Sequence, residues 1–124
     1  MKCPKCDSDM EKVVYHNIEV DRCTNCKGIW FDMLEHEHLK AVEDSESIDI
    51  GEAKVGKEYD KIDKINCPAC QTQMIRMVDR KQPHIHYEAC TSCYGLFFDA
   101  GEFRDYKEET VIDFFRDLFA KERR

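Results

Sequence analysis

A small, metal-stabilised α+β fold, built from one unit written twice, is what this 124-residue sequence predicts, on three observations. All eight cysteines stand as C-x2-C pairs, the chain repeats itself, and each copy runs through short β-forming stretches to the signature of a helix start. Lobes of about 40 residues seldom hold by a hydrophobic core alone and draw on disulfides, metals or assembly. No single large core is evident, because the apolar residues fall in two short clusters and a C-terminal stretch.

The first unit, residues 1–44, opens Cys3-Pro4-Lys5-Cys6, with Met10 four residues further on. Val13, Val14 and Tyr15 make a first strand and His16-Asn17 a turn. Ile18 and Val20 then alternate with polar residues toward Cys23. Alternation and turn chemistry read as a hairpin. The unit closes Cys23-Thr24-Asn25-Cys26-Lys27-Gly28-Ile29-Trp30-Phe31-Asp32, the aromatic pair ending a third strand. One ring of that pair is expected over the cysteines and the other against the helix. Asp32 and, three residues later, Glu35 mark a capped helix start, with both acids at the positive end of its dipole. That helix is expected from Met33 to about Asp44, with Leu34, Leu39, Ala41 and Val42 on its buried side.

Residues 45–66 form a polar connector containing Gly51 and Gly56, in which the helical spacing of Val55, Tyr59 and Ile62 allows a short helix packed between the units. The second unit, residues 67–106, repeats the first: Cys67-Pro68-Ala69-Cys70, Met74, then Ile75, Met77 and Val78. A longer loop through Arg80 to Pro83 follows, and Ile85 and Tyr87 alternate toward Cys90. The close is Cys90-Thr91-Ser92-Cys93-Tyr94-Gly95-Leu96-Phe97-Phe98-Asp99, with Glu102 three residues beyond. Capping is the expected role of Asp99 and Glu102 as well, ahead of acid–base catalysis.

Residues 107–124 read as an amphipathic helix, either continuous with a helix starting near Ala100 or divided from it by a break near Glu108–Thr110. Val111, Phe114 and Leu118 make one stripe, and Ile112, Phe115 and Phe119 another beside it. So wide an apolar face must be buried: on the units themselves, in a homodimer seam or in a partner's groove.

Each unit offers four thiolates on two tight turns. Zinc takes four sulfurs tetrahedrally at about 2.3 Å, and a closed shell of four is the structural rather than the catalytic arrangement. Two structural zinc ions are therefore expected; iron suits the same donors. Disulfides are the alternative in an oxidising compartment. The opening Met1-Lys2-Cys3-Pro4-Lys5-Cys6 has no apolar signal segment, and no apolar run spans a bilayer, so a reducing, cytoplasmic location is expected. His16, His36, His38, His84 and His86 are left to surface or packing roles, both shells being complete without them.

The net charge is −7, and none of the ranges 1–39, 40–66, 67–106 and 107–124 is net basic. Non-specific nucleic-acid binding rests on clustered Lys and Arg and is disfavoured, so Trp30-Phe31 and Phe97-Phe98 read as packing rather than as a base-stacking platform.

The pattern C-P-x-C, hairpin, C-x2-C-x-G-x-[WF]-F-D-x2-E resembles the bacterial and archaeal zinc-ribbon family named for its likeness to the zinc ribbon of transcription factor IIB. The likeness covers residues 3–39 and 67–106. It implies two tandem three-stranded zinc ribbons, each followed by a helix. Cys3, Cys6, Cys23 and Cys26 would then hold one ion, and Cys67, Cys70, Cys90 and Cys93 the other. Where the family commonly has two glycines after the last cysteine, this chain has Lys27-Gly28 and Tyr94-Gly95. His36 and Phe103 stand where leucine is frequent. A non-catalytic protein-interaction module is the expected function, with a transcription-associated nucleic-acid binder and a zinc-linked thiol redox sensor as the alternatives.

Overall fold

The computed structural model describes residues 1–33, 35–40, 42–62, 64–78 and 85–106. Strand β1 (Met10–Tyr15) pairs antiparallel with β2 (Ile18–Cys23) around His16-Asn17, whose φ values of 50° and 66° are the left-handed pair that a two-residue hairpin turn demands. Strand β3 (Ile29–Phe31), helix α1 (Glu35–Lys40), a single 3-10 turn (Ser45–Ile48) and helix α2 (Ala53–Asp60) follow. The second unit supplies β4 (Ile75–Val78), β5 (His86–Ala89) and β6 (Leu96–Phe98), and residues 102–106 are helical.

The two units do not stand as separate lobes. Their strands form one six-stranded sheet in the order β1-β2-β3-β6-β5-β4, joined where β3 meets β6 antiparallel. In that ladder Trp30 faces Phe97, its own counterpart in the repeat, while Ile29 faces Phe98 and Phe31 faces Leu96. The units are thus related by an approximate twofold axis between Trp30 and Phe97, the isologous geometry of a homodimer built within one chain.

Strand alternation gives the joined sheet two cores. Ile29, Phe31, Leu96 and Phe98 pack with Val20, Leu39, Ile85, Phe103 and Tyr106. Trp30 and Phe97 pack with the cysteines, Ile65 and Met74. One aromatic of each pair covers the cysteines and the other meets the helices, as expected. The axis also explains the glycine of the closing motif. A Cβ on Gly28 would stand 2.3 Å from Cζ of Phe97, and one on Gly95 2.2 Å from Cζ2 of Trp30. Each unit's glycine is the seat of the other unit's ring.

Helix α1 is shorter than the expected Met33–Asp44. It ends at Lys40, and Asp44 takes φ 63°. The Ser45 hydroxyl donates to the Leu39 carbonyl, closing the helix end, and the 3-10 turn then inserts Ile48 into the core. Of the expected inward positions, Leu39 is buried and Val42 half-buried. Leu34 and Ala41 lie outside the described residues, as do His84, the Arg80–Pro83 loop and the whole 107–124 segment with Val111, Ile112, Phe114, Phe115, Leu118 and Phe119.

The capping expectation holds in part. Glu35 Oε1 accepts from the Asp32 amide at 2.8 Å, and the Asp32 carboxylate accepts from Trp30 Nε1 at 3.2 Å. In the second unit the cap comes from the connector. Asp49 accepts from the amides of Gly101 at 2.9 Å and Arg104 at 3.0 Å, and Arg104 returns a bond to the Asp49 carbonyl at 2.9 Å. Gly51 and Gly56 press directly on Ala100, leaving no room for a Cβ on either. The connector is a clamp on the second unit rather than a spacer. No helix among the described residues is long and apolar enough to cross a membrane.

Candidate metal centres

Each cysteine pair sits on a tight turn whose backbone closes on itself. Cys3 N donates to Ser8 O at 2.8 Å, Cys67 N to Thr72 O at 2.8 Å, Cys23 N to Gly28 O at 2.8 Å and Cys90 N to Gly95 O at 2.9 Å. Asp7, Lys27, Gln71 and Tyr94, each immediately after the second cysteine of its pair, have φ between 62° and 65°. This left-handed step turns the chain back under the sulfurs. It also shows why glycine suits the positions of Lys27 and Tyr94.

Inside the turns the amides aim at sulfur. Asn25 N and Cys26 N point at Cys23 Sγ, Ala69 N and Cys70 N at Cys67 Sγ, and Ser92 N and Cys93 N at Cys90 Sγ, all at 3.4 Å. Such bonds favour the thiolate and disperse its charge.

The sheet brings the eight cysteines into two groups: Cys3, Cys6, Cys23 and Cys26, and Cys67, Cys70, Cys90 and Cys93, the sulfurs of each within 4.8 Å of one another. The closest approaches are 3.7 Å for Cys3–Cys26, 3.4 Å for Cys6–Cys23, 3.6 Å for Cys67–Cys93 and 3.3 Å for Cys70–Cys90. A zinc–sulfur bond of about 2.3 Å implies tetrahedron edges of about 3.8 Å, whereas a disulfide needs about 2.05 Å. None of the eight is bridged. The clusters fit two structural zinc ions.

Without a cation the sulfurs must share protons. Cys3 is drawn down to about 5 chiefly by the hydrogen bond it shares with Cys26, and that same contact raises Cys26. Cys70 is lowered to about 6 first by the Thr72 hydroxyl, while burial pushes Cys67 up to about 12. Four neighbouring sulfurs ionise together only around a cation, whose charge replaces those protons.

None of the histidines in the described residues joins a metal group. His36 lies among the rings of Phe31, Phe98 and Tyr106, and His86 Nδ1 is 3.6 Å from Asp60 Oδ2. Trp30 and Phe97 are fully buried, so neither offers a stacking platform.

Sequence reasoning missed a buried ion network beside the centres. Lys5, on the first cysteine turn, crosses to the second unit and reaches Glu88 Oε1 at 2.7 Å and Asp99 Oδ2 at 2.9 Å, and it donates to the Tyr59 carbonyl at 3.0 Å. All three charged side chains are at most 1% exposed. Arg76 adds a contact of 3.2 Å to Glu88. Burial raises Asp99 to about 7, against the pull of Lys5, and raises Glu88 as well. Asp60, Glu88 and Asp99 bring their oxygens within 4.8 Å, but Lys5 already supplies the positive charge to two of them. The one signal in the sequence is that Lys5 is replaced by Ala69 in the repeat.

Comparison with known proteins gives one family. A family model described as "Transcription factor zinc-finger" matches residues 2–42 and again residues 66–109. No curated protein and no solved structure matches the chain. Two matches, one on each half of a sheet whose cysteines gather four by four, show that the chain belongs to the transcription factor zinc-finger family, as a tandem zinc ribbon.

Proposed function

We propose that the chain is a non-catalytic, two-zinc interaction module, with Cys3, Cys6, Cys23 and Cys26 ligating one structural ion and Cys67, Cys70, Cys90 and Cys93 the other. The carrying observation is the convergence of all eight cysteines into two four-sulfur groups on one shared sheet. Bound there, zinc supplies four bonds that fix the two turns of each unit. A shell closed by four thiolates leaves no position for an activated water, which supports a structural rather than a hydrolytic role. Eight unbridged cysteines support a cytoplasmic location.

The reading takes the module's contact to be the C-terminal segment, whose Val111, Ile112, Phe114, Phe115, Leu118 and Phe119 are wide enough in pattern to bury against a protein partner or a second copy. The acidic balance of the chain, −7, argues against nucleic acid as that partner. Native mass spectrometry and affinity capture test the two halves of the reading. The expected results are two zinc ions per chain, and a set of captured proteins that disappears when residues 107–124 are removed. Fewer than two ions refutes the metal assignment; an unchanged set refutes the contact. Salt-dependent retention on DNA at low ionic strength, if found, replaces the protein partner with nucleic acid.

A further inference from the structure

The two centres are equivalent by sequence but not by cover. In the first, Cys3, Cys23 and Cys26 are buried and Cys6 half-buried. In the second, Cys67 and Cys90 are buried, Cys93 is half-buried and Cys70 is exposed, the only one of the eight to be so among the described residues. The connector makes the difference. Helix α2 packs Val55 and Tyr59 against the cysteine-bearing core. Its tyrosine meets both turns of the first centre: Asn25 Nδ2 donates to the Tyr59 hydroxyl at 3.4 Å, and Lys5 to the Tyr59 carbonyl at 3.0 Å. Ser92 takes the place of Asn25 in the second unit, and its hydroxyl meets the Thr72 hydroxyl at 3.2 Å. Tyr94, the counterpart of half-buried Lys27, is 62% exposed. Among the described residues, no hydrogen bond ties α2 to the turns of this centre as Lys5 and Asn25 tie it to those of the other.

We propose that the second centre is a hydroperoxide-reactive site, with Cys70 as the sulfur attacked and Cys90, whose sulfur is 3.3 Å away, as its resolving partner. This rests on the reading that both centres hold zinc. The Cys70 thiolate attacks the terminal oxygen of the hydroperoxide. The O–O bond breaks, sulfur is oxidised by two electrons to the sulfenic acid, and the other oxygen leaves as alcohol, or as water from hydrogen peroxide, after taking a proton from solvent. The Cys90 thiolate then attacks the sulfenic sulfur. The S–S bond forms and hydroxide leaves, protonated to water. Two thiolates, one hydroperoxide and two protons give one disulfide, one alcohol and one water, and the centre, left with Cys67 and Cys93 as its only thiolates, would no longer hold a zinc ion. Access decides which centre reacts, since the paired sulfurs of the first, Cys6 and Cys23, are almost as close at 3.4 Å.

The test uses the full chain, first shown by native mass spectrometry to carry two zinc ions. It is then treated with less than one equivalent of hydrogen peroxide and quenched with an alkylating agent, and the disulfides are mapped by peptide mass spectrometry while released zinc is followed with a chromogenic chelator. Disulfides within Cys67, Cys70, Cys90 and Cys93 are expected to exceed those within the first set by about tenfold, with one zinc released per disulfide. Equal oxidation of the two sets, or a lead by the first, overturns the proposal. A chain that carries no zinc before oxidant is added refutes the underlying reading instead. In Tyr59→Ala, or in Asn25→Ala should that variant fail to load both ions, the share of the first set should rise several-fold. An unchanged share shows that cover does not set the order.

Discussion

Gly95 carries no side chain because the indole of Trp30 occupies the space where one would begin, and Gly28 stands in the same relation to Phe97. A methyl in either place must displace a fully buried ring at the seam between the units. Gly95→Ala should therefore cost about 1–3 kcal/mol, the usual range for overpacking a filled core. Urea denaturation of the zinc-loaded protein measures it, and a midpoint equal to that of the native chain counts against the seat. Asp99 makes a second prediction, in pH. Burial holds its proton to about 7 in the folded chain, against an ordinary value of 3.8. Between these values the folded state binds the proton and the unfolded state does not, so the stability this group contributes falls as pH rises through about 4–7 and then levels. Asp99→Asn keeps an acceptor for Lys5 but cannot titrate. Its stability relative to the native chain should move in its favour from about pH 5 to pH 8; the zinc centres are common to both proteins and cancel. A difference that stays flat across that range sinks the assignment. At this scale the cysteines were legible, because metal ligation by a turn imposes a spacing along the chain. Lys5, Glu88 and Asp99 were not, since each finds its partner across a unit boundary that no local pattern records.

The elements show the same division between local and distant causes. The first hairpin could be read because alternation and the His16-Asn17 turn act within a few residues. Helix α1 could not be bounded, because what ends it is the inward pull of Ile48 and the Ser45 bond to Leu39. A helix was expected from near Ala100 and begins at residue 102, for a reason that proves only half right. Asp99 stands where a cap should, yet its carboxylate turns to Lys5, and Asp49 caps from the connector instead. Asp49 is buried, and burial raises its titration above the ordinary value although two amides stabilise the charge. Asp49→Ala should destabilise the chain by about 1–3 kcal/mol, a lost cap plus buried amides left without an acceptor. Hydrogen exchange at Gly101 and Arg104 reads the effect directly, and amides that stay as protected as in the native chain show that the cap lies elsewhere.

At the scale of the molecule, the reading of two short lobes held mainly by metal has to give way to a shared interior. Composition hid this, because apolar residues that look like two small clusters along the chain become two cores when β3 and β6 pair, each core drawing on both units. Zinc and hydrophobic burial then act together: the metal fixes the turns that carry Gly28 and Gly95, and those glycines seat the rings that join the units. Ion pairing fixes which unit meets which. Lys5 exists in the first unit alone, and two copies of the second would bury Glu88 and Asp99 with no Lys5 between them. Such an arrangement should unfold as one body. Trp30→Ala, which empties the seat on Gly95, should cost about 3–5 kcal/mol and should expose the second unit as much as the first. In native-state hydrogen exchange of that variant, the amides of Cys90 and Tyr94 should lose protection in step with those of Cys23 and Cys26. If the second unit keeps its protection while the first opens, the sheet is a contact between two independent ribbons, and the joint core contributes little to either.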